Sequence, residues 1–196
     1  MTINELRAGG REGKTATGPA PRKKRRPRAI GTDAERAVVR YLQATGWPAA
    51  ERRALRGRQD AGDITGTPGI CWEVKGGDQA RRASDRDVAQ WLAEAERERQ
   101  AADADVAVLV LQRAGVGAPR AGRWWAIVPL WAATYLQAMT DRADGAPAYT
   151  GGADLYAIGA SDPRTPWMRA PARLLLADAV ALLRAAGYGT PPEVTP

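Results

Sequence analysis

Apolar residues at Ala34, Ala37, Val38, Tyr41 and Leu42 recur at three- and four-residue spacing and mark one face of a helix. Thr32, with Glu35 three residues later, has the form of a capping box and predicts the helix start; Gly46 and Pro48 predict its end. Residues 51–55 read as an edge strand, and Arg56-Gly57-Arg58 as a turn ahead of Gly62-Asp63-Ile64-Thr65. Thr67-Pro68-Gly69 is a tight-turn sequence. It returns the chain as Ile70-Cys71-Trp72-Glu73-Val74-Lys75, so a hairpin-like pair of strands is expected. Ser84, with Asp87 at the third helical position, opens a second helix. Its Val88, Trp91, Leu92 and Ala95 form a stripe for burial, leaving residues 94–99 as a charged, solvated face.

Residues 105–111 are apolar on both faces and read as a central strand. A glycine-rich loop over 114–122 leads to a further strand at 123–128, and Pro129 starts a helix to about Met139. Residues 145–171 are rich in Gly and Pro and are expected to be mostly loop. A last amphipathic helix over 172–186 carries Leu174, Leu175, Val180, Leu182 and Leu183, and would cover the sheet or pair with a second subunit. This order of elements predicts an α/β fold, with a mixed central β-sheet flanked by helices. The expected organisation is an arm over 1–30, a central domain over 31–140 and a C-terminal extension over 141–196.

Composition narrows what such a domain could do. The 196 residues, 44% apolar, suffice for one domain with a real core plus extensions. The longest apolar runs, 106–111 and 124–131, are too short to cross a bilayer, and no apolar signal region follows Met1, so a soluble, cytoplasmic protein is expected. Cys71 is the only cysteine and there is no histidine. An internal disulfide and a zinc site of the usual ligands are therefore excluded, as are serine-histidine hydrolases, cysteine-histidine proteases, His-Asn-His nucleases and zinc deaminases, each of which needs an imidazole. What remains is chemistry built on carboxylates, lysine and a hard metal ion.

The net charge of +7 is unevenly placed. Residues 1–30 carry Lys or Arg at 7, 11, 14, 22, 23, 24, 25, 26 and 28 against only Glu5 and Glu12, and the rest of the chain is neutral. Gly9, Gly10, Gly13, Gly18, Pro19 and Pro21 leave this arm too polar and too interrupted to fold alone, and it is expected to be disordered. Its run Arg22, Lys23, Lys24, Arg25, Arg26 and Arg28 would attract phosphates through counterion release. A solubilising tail and an address signal are the alternatives, and nuclease-like residues elsewhere favour nucleic acid.

Those residues are Asp63, Glu73 and Lys75. Hydrolysis of a phosphodiester without imidazole needs a divalent ion to polarise the phosphate and acidify the attacking water, and a hard ion wants oxygen ligands. Asp63 on one strand and Glu73 on the next can project to the same end of a sheet face. Lys75, two residues after Glu73, shares that face by the strand period. An ammonium there can hold the water or stabilise charge developing on phosphorus. By itself an acid followed ten residues later by acid-any-lysine is a weak pattern. Lysine usage strengthens it. Lys14, Lys23 and Lys24 lie in the arm, which leaves Lys75 the single lysine of the folded body, where every other cation is arginine. A need that guanidinium cannot meet explains this; the competing reading is a cross-strand salt bridge.

Glu35 on a first helix, Gly62-Asp63-Ile64, and Glu73-Val74-Lys75 ahead of a second helix resemble the PD-(D/E)xK nuclease superfamily, and within it the small Holliday junction resolvases of archaea and phages. The resemblance covers about residues 31–130. It implies a restriction-endonuclease-like mixed sheet, and a homodimer that cuts branched DNA during recombination or repair in a prokaryotic or phage-infected cell. It implies Mg²⁺, replaceable by Mn²⁺, held by Asp63, Glu73 and the Val74 carbonyl, with Lys75 at the nucleophilic water and Glu35 as an outer ligand. The chain departs from the pattern at Gly62, where proline is usual. Other nucleases of this fold, and a DNA-binding protein that has lost activity, are the alternatives.

Further residues carry double readings. Glu35 suits a cap as well as a metal. Asp60 competes with Asp63, though Asp63-Ile64 is the better strand match. Gln90 on the second helix either faces the site or faces solvent. Arg52, Arg53, Arg56 and Arg58 bracket the site and would bind phosphates or simply be solvated. Trp124 and Trp125 could stack on unpaired bases, but adjacent strand residues face opposite ways, so at least one belongs to the core.

Overall fold

The computed structural model describes residues 27–53, 62–142 and 166–190. Helix α1 (Pro27–Ala44) buries Ala34, Ala37, Val38 and Leu42, as their spacing predicts. It ends in a Schellman-type turn: Trp47 N–H donates to the Leu42 carbonyl at 3.0 Å, across Gly46 at φ +126°. Its start differs from expectation. The helix begins on Pro27, whose fixed φ suits a first helical position, so Thr32 and Glu35 are interior and form no capping box. The boundary of the arm moves back from residue 30 accordingly, and Arg28 lies in the first turn of α1.

Strands β1 (Glu51–Arg52) and β2 (Ile64–Thr65) pair antiparallel as a separate two-stranded sheet. The main sheet holds β3 (Ile70–Lys75), β4 (Val106–Leu111), β5 (Trp125–Pro129) and β6 (Pro171–Leu175) in that order, with β3 and β4 parallel and the other neighbours antiparallel. The expected hairpin of β2 with β3 is not a ladder. One backbone bond joins them, Asp63 N–H to the Trp72 carbonyl at 2.7 Å, and the next edge donor, Val74 N–H, goes instead to the Asp63 carboxylate.

β4 is buried along its whole length between β3 and β5, as its unbroken apolar run requires. One sheet face presents Trp72, Val74, Val108, Val110, Ala126 and Val128 to a core shared with α1, α4 (Leu130–Arg142) and α5 (Leu176–Ala185). The opposite face presents Leu109, Leu111 and Ile127 to Val88, Trp91 and Leu92 of α3 (Asp85–Ala101). The architecture is thus α/β, a mixed four-stranded sheet flanked by helices. No helix among the described residues is long and apolar enough to cross a membrane.

Two elements depart from the sequence reading. The helix expected over 172–186 is a strand followed by a helix, because Leu174, Leu175 and Leu176 form an apolar run that suits either period and the free edge of β5 takes Leu174 opposite Ala126 and Leu175 opposite Trp125. The short helix α2 (Gly77–Arg81), and a 3₁₀ turn at Ala118–Arg123 inside the expected glycine-rich loop, carry no apolar period and were not foreseen. Of the expected loop at 145–171, residues 145–165 lie outside the described residues; Pro166–Arg169 is a 3₁₀ turn.

α3 starts as read. Ser84 Oγ accepts from Asp87 N–H, and the Asp87 carboxylate accepts from Ser84 N–H at 2.9 Å, a reciprocal capping box. Ser84 is exposed, so Ser84→Ala removes the cap with little change in packing. About 1 kcal/mol of stability should be lost, read as a lower urea midpoint with an unchanged slope.

Candidate active site

The chemistry of the site follows from how β3 divides its backbone groups. The Gly69 carbonyl accepts from Val106 N–H and the Lys75 carbonyl from Gln112 N–H, so in the parallel register the odd-numbered residues of β3 bond to β4. The even-numbered ones point their N–H and C=O groups to the free edge. There the Trp72 carbonyl and Val74 N–H meet Asp63, and the Val74 carbonyl faces the same way. Side chains alternate at right angles to this: Glu73 and Lys75 stand opposite Leu109 and Leu111, on the α3 face.

Asp63 is brought to that edge by a backbone that only glycine accommodates easily. Gly62 has φ +83°, and a Cβ there would lie 2.8 Å from the Trp72 carbonyl oxygen and 3.0 Å from Cys71 Sγ. Three hydrogen bonds then fix Asp63: its N–H to the Trp72 carbonyl, its carbonyl from Arg53 N–H at 2.8 Å, and its Oδ2 from Val74 N–H at 2.8 Å. Burial pushes the Asp63 carboxyl up to about 7, helped by the negative charge of Glu73; the Val74 N–H and, more weakly, Lys75 oppose the rise.

Glu73 is 8% exposed and accepts an ion-paired hydrogen bond from Lys75 Nζ. The salt bridge weighed as the rival reading of Lys75 therefore exists, with the partner next to it on the same strand. The ammonium lies 5.9 Å from the centre of the Trp91 ring, within cation–π range. Burial works to lower its pKa, but the hydrogen bond and charge of Glu73, and the charges of Asp63 and Glu94, outweigh it and raise it above the usual lysine value. Lys75 is thus a fixed positive charge between two carboxylates. Cys71 is buried, and burial first, then nearby carboxylates, push its thiol up to about 12, which leaves it an unreactive core side chain.

The remaining candidates are sorted by position. Glu35 is close enough for its charge to act on Asp63, but its Oε2 accepts from Arg52 Nη1 at 3.1 Å. Arg52 is accordingly paired within the protein, and both Arg52 and Arg53 are exposed. Gln90 is exposed and donates to Glu94 Oε1 at 3.1 Å. Glu94 was not foreseen; its signal is the place one turn after Trp91, on the edge of the α3 stripe. Trp124 is fully buried, its Nε1 donating to the Val116 carbonyl at 3.0 Å, and so cannot stack on a base. Trp125 is part-exposed beneath two arginines. Asp60, Arg56, Arg58, Arg22, Lys23, Lys24, Arg25 and Arg26 lie outside the described residues, as does the side chain of Arg28.

Among the described residues, no group of three or more His, Cys, Asp or Glu side chains is arranged to hold a metal ion. The available donors are two carboxylates and one carbonyl, all oxygen. The mutual repulsion of Asp63 and Glu73, uncancelled by Lys75, is what a hard divalent cation would relieve. The residues present fit such an ion with water completing its shell. No protein-family profile, curated protein or solved structure matches this chain.

Proposed function

We propose that this protein is a Mg²⁺-dependent DNA endonuclease of the PD-(D/E)xK type, acting on branched DNA. The observation that carries the reading is the convergence of Asp63, Glu73 and Lys75 at one end of β3, in a chain whose folded body has no other lysine. Asp63, Glu73 and the Val74 carbonyl would hold the ion, which supplies polarisation of the phosphate and an acidified water. Lys75 supplies a positive charge that stays protonated beside two carboxylates. With Glu73 engaged by an ion, the Lys75 ammonium would be available to donate to the water or to a phosphate oxygen. Trp91 walls one side of the ammonium and limits the solvent reaching it. Glu35 acts at a distance, its Oε2 held by Arg52, and an outer role at the ion would fall to its other oxygen.

The junction substrate, the homodimer, and a role in recombination or repair rest on the resemblance of residues 31–130. The test is purified protein incubated with four-way junction, flap, linear duplex and single-stranded DNA, with Mg²⁺, Mn²⁺ or EDTA. Metal-dependent cutting with preference for the junction is expected, and Lys75→Ala should slow it by about 10²–10³-fold. Equal cutting of all four substrates removes the resolvase assignment. Cutting that survives Lys75→Ala removes the site assignment. Binding without cutting by the unaltered protein leaves a DNA-binding protein on this fold.

A further inference from the structure

The sheet face that carries Glu73 and Lys75 continues beyond them. Lys75 stands opposite Leu111, Leu111 opposite Trp125, and Trp125 opposite Leu175. Directly paired residues share a face, so Trp125 lies beside Lys75 at two strand spacings, about 10 Å at backbone level. Arg113 follows Leu111 by two residues and Arg173 precedes Leu175 by two. Both guanidiniums come to the Trp125 ring, their central carbons 4.4 Å and 5.7 Å from its centre. Arg173 is exposed, and Arg113 and Trp125 are part-exposed.

Two like charges over one ring repel each other, and the indole face offsets this only in part. Carboxylates relieve other arginines of the chain: Arg52 pairs with Glu35, Arg81 with Asp78 and Arg99 with Glu96. Among the described residues neither Arg113 nor Arg173 has such a pair. Phosphates would supply the counter-charge that no described carboxylate gives these two arginines, and guanidinium forks match phosphate oxygens two at a time.

We propose that Arg113, Trp125 and Arg173 form a DNA-backbone subsite, which holds a phosphate flanking the one to be cut at Asp63, Glu73 and Lys75; this rests on the nuclease reading above. Trp125 lies between the two arginines, which come to it from the β4 side and from β6, and they hold the strand in register with the catalytic cluster. The separation of about 10 Å at backbone level places such a phosphate within about three nucleotides of the one to be cut, at about 3.4 Å of axial rise for each. The rival account is packing alone, two arginines covering an otherwise exposed indole.

Binding of labelled duplex and four-way junction DNA, measured by fluorescence anisotropy in EDTA so that nothing is cut, distinguishes these. The double variant Arg113→Gln/Arg173→Gln should bind on the order of tenfold more weakly at about 100 mM salt, and its plot of log affinity against log salt should be shallower by about 2. Arg113→Lys/Arg173→Lys should restore the slope. If the unaltered protein binds and the glutamine variant matches it in affinity and slope, the subsite is wrong and the nuclease reading stands. A lowered melting temperature with unchanged slope assigns the arginines to packing and also overturns the proposal. If the unaltered protein binds neither the duplex nor the four-way junction, both readings fall.

Discussion

Asp63→Asn is expected to abolish metal-dependent cleavage, by about 10³-fold or more, and at the same time to make the metal-free protein more stable at neutral pH. The two effects have one cause. Burial and the charge of Glu73 raise the Asp63 carboxyl from 3.8 to about 7, so the folded protein binds this proton more tightly than the unfolded chain does. The stability gained is fully present below about pH 4 and is lost as pH rises through 7. A shift of that size corresponds to roughly 4 kcal/mol if unscreened, and the partial exposure of Asp63 reduces it to about 1–2 kcal/mol.

Asparagine keeps an oxygen for the Val74 N–H and never ionises, so the decline between pH 4 and 7 should disappear. Thermal melts in EDTA across this range give the comparison. Mg²⁺ at pH 7.5 should raise the melting temperature of the unaltered protein and leave that of the variant unmoved, because a ligand that binds only the folded state stabilises it. A variant less stable than the parent in EDTA at pH 8, or one that still responds to Mg²⁺, is incompatible with this account of the site.

The second large effect is counter-intuitive from the sequence pattern. Gly62→Pro writes the usual proline in front of Asp63, and it is expected to destroy the site. Gly62 has φ +83°, and proline is confined near −65°. Even a lone Cβ would lie 2.8 Å from the Trp72 carbonyl oxygen, which cannot move aside because it accepts the Asp63 N–H. The chain would have to withdraw from β3, taking the carboxylate with it. A cost of about 3 kcal/mol in stability is expected, with cleavage down by at least about 10² from misplacement. Gly62→Ala should fall between. A Gly62→Pro protein cutting at the parental rate would show that Asp63 is not held in the way described here. The departure from the pattern is thus matched to this backbone and cannot be exchanged in isolation.

Elements with one clear period were legible along the chain. The α1 stripe, the α3 stripe with its Ser84 and Asp87 cap, the turn at 67–69 and the all-apolar β4 each leave a local pattern that only one structure satisfies. That Glu73 and Lys75 share a face follows from the strand period of two, whereas Asp63 reaches them through its hydrogen bonds to the free edge of β3 and not through the hairpin ladder the sequence suggests. Where a pattern fitted two periods, tertiary pairing chose. Residues 173–176 became the end of β6 and the start of α5 because the β5 edge offered hydrogen bonds.

The sequence by itself determined the available chemistry: no imidazole, one cysteine, one lysine in the folded body, and the Asp63 and Glu73 carboxylates on either side of one turn. Only the tertiary structure decided what surrounds them. It assigned Glu35 to Arg52, placed Trp91 and Glu94 around Lys75, buried Trp124, and set Arg113 and Arg173 over Trp125. These contacts join residues far apart in the chain. Which charge meets which ring depends on sheet register and helix placement, and local spacing does not encode either.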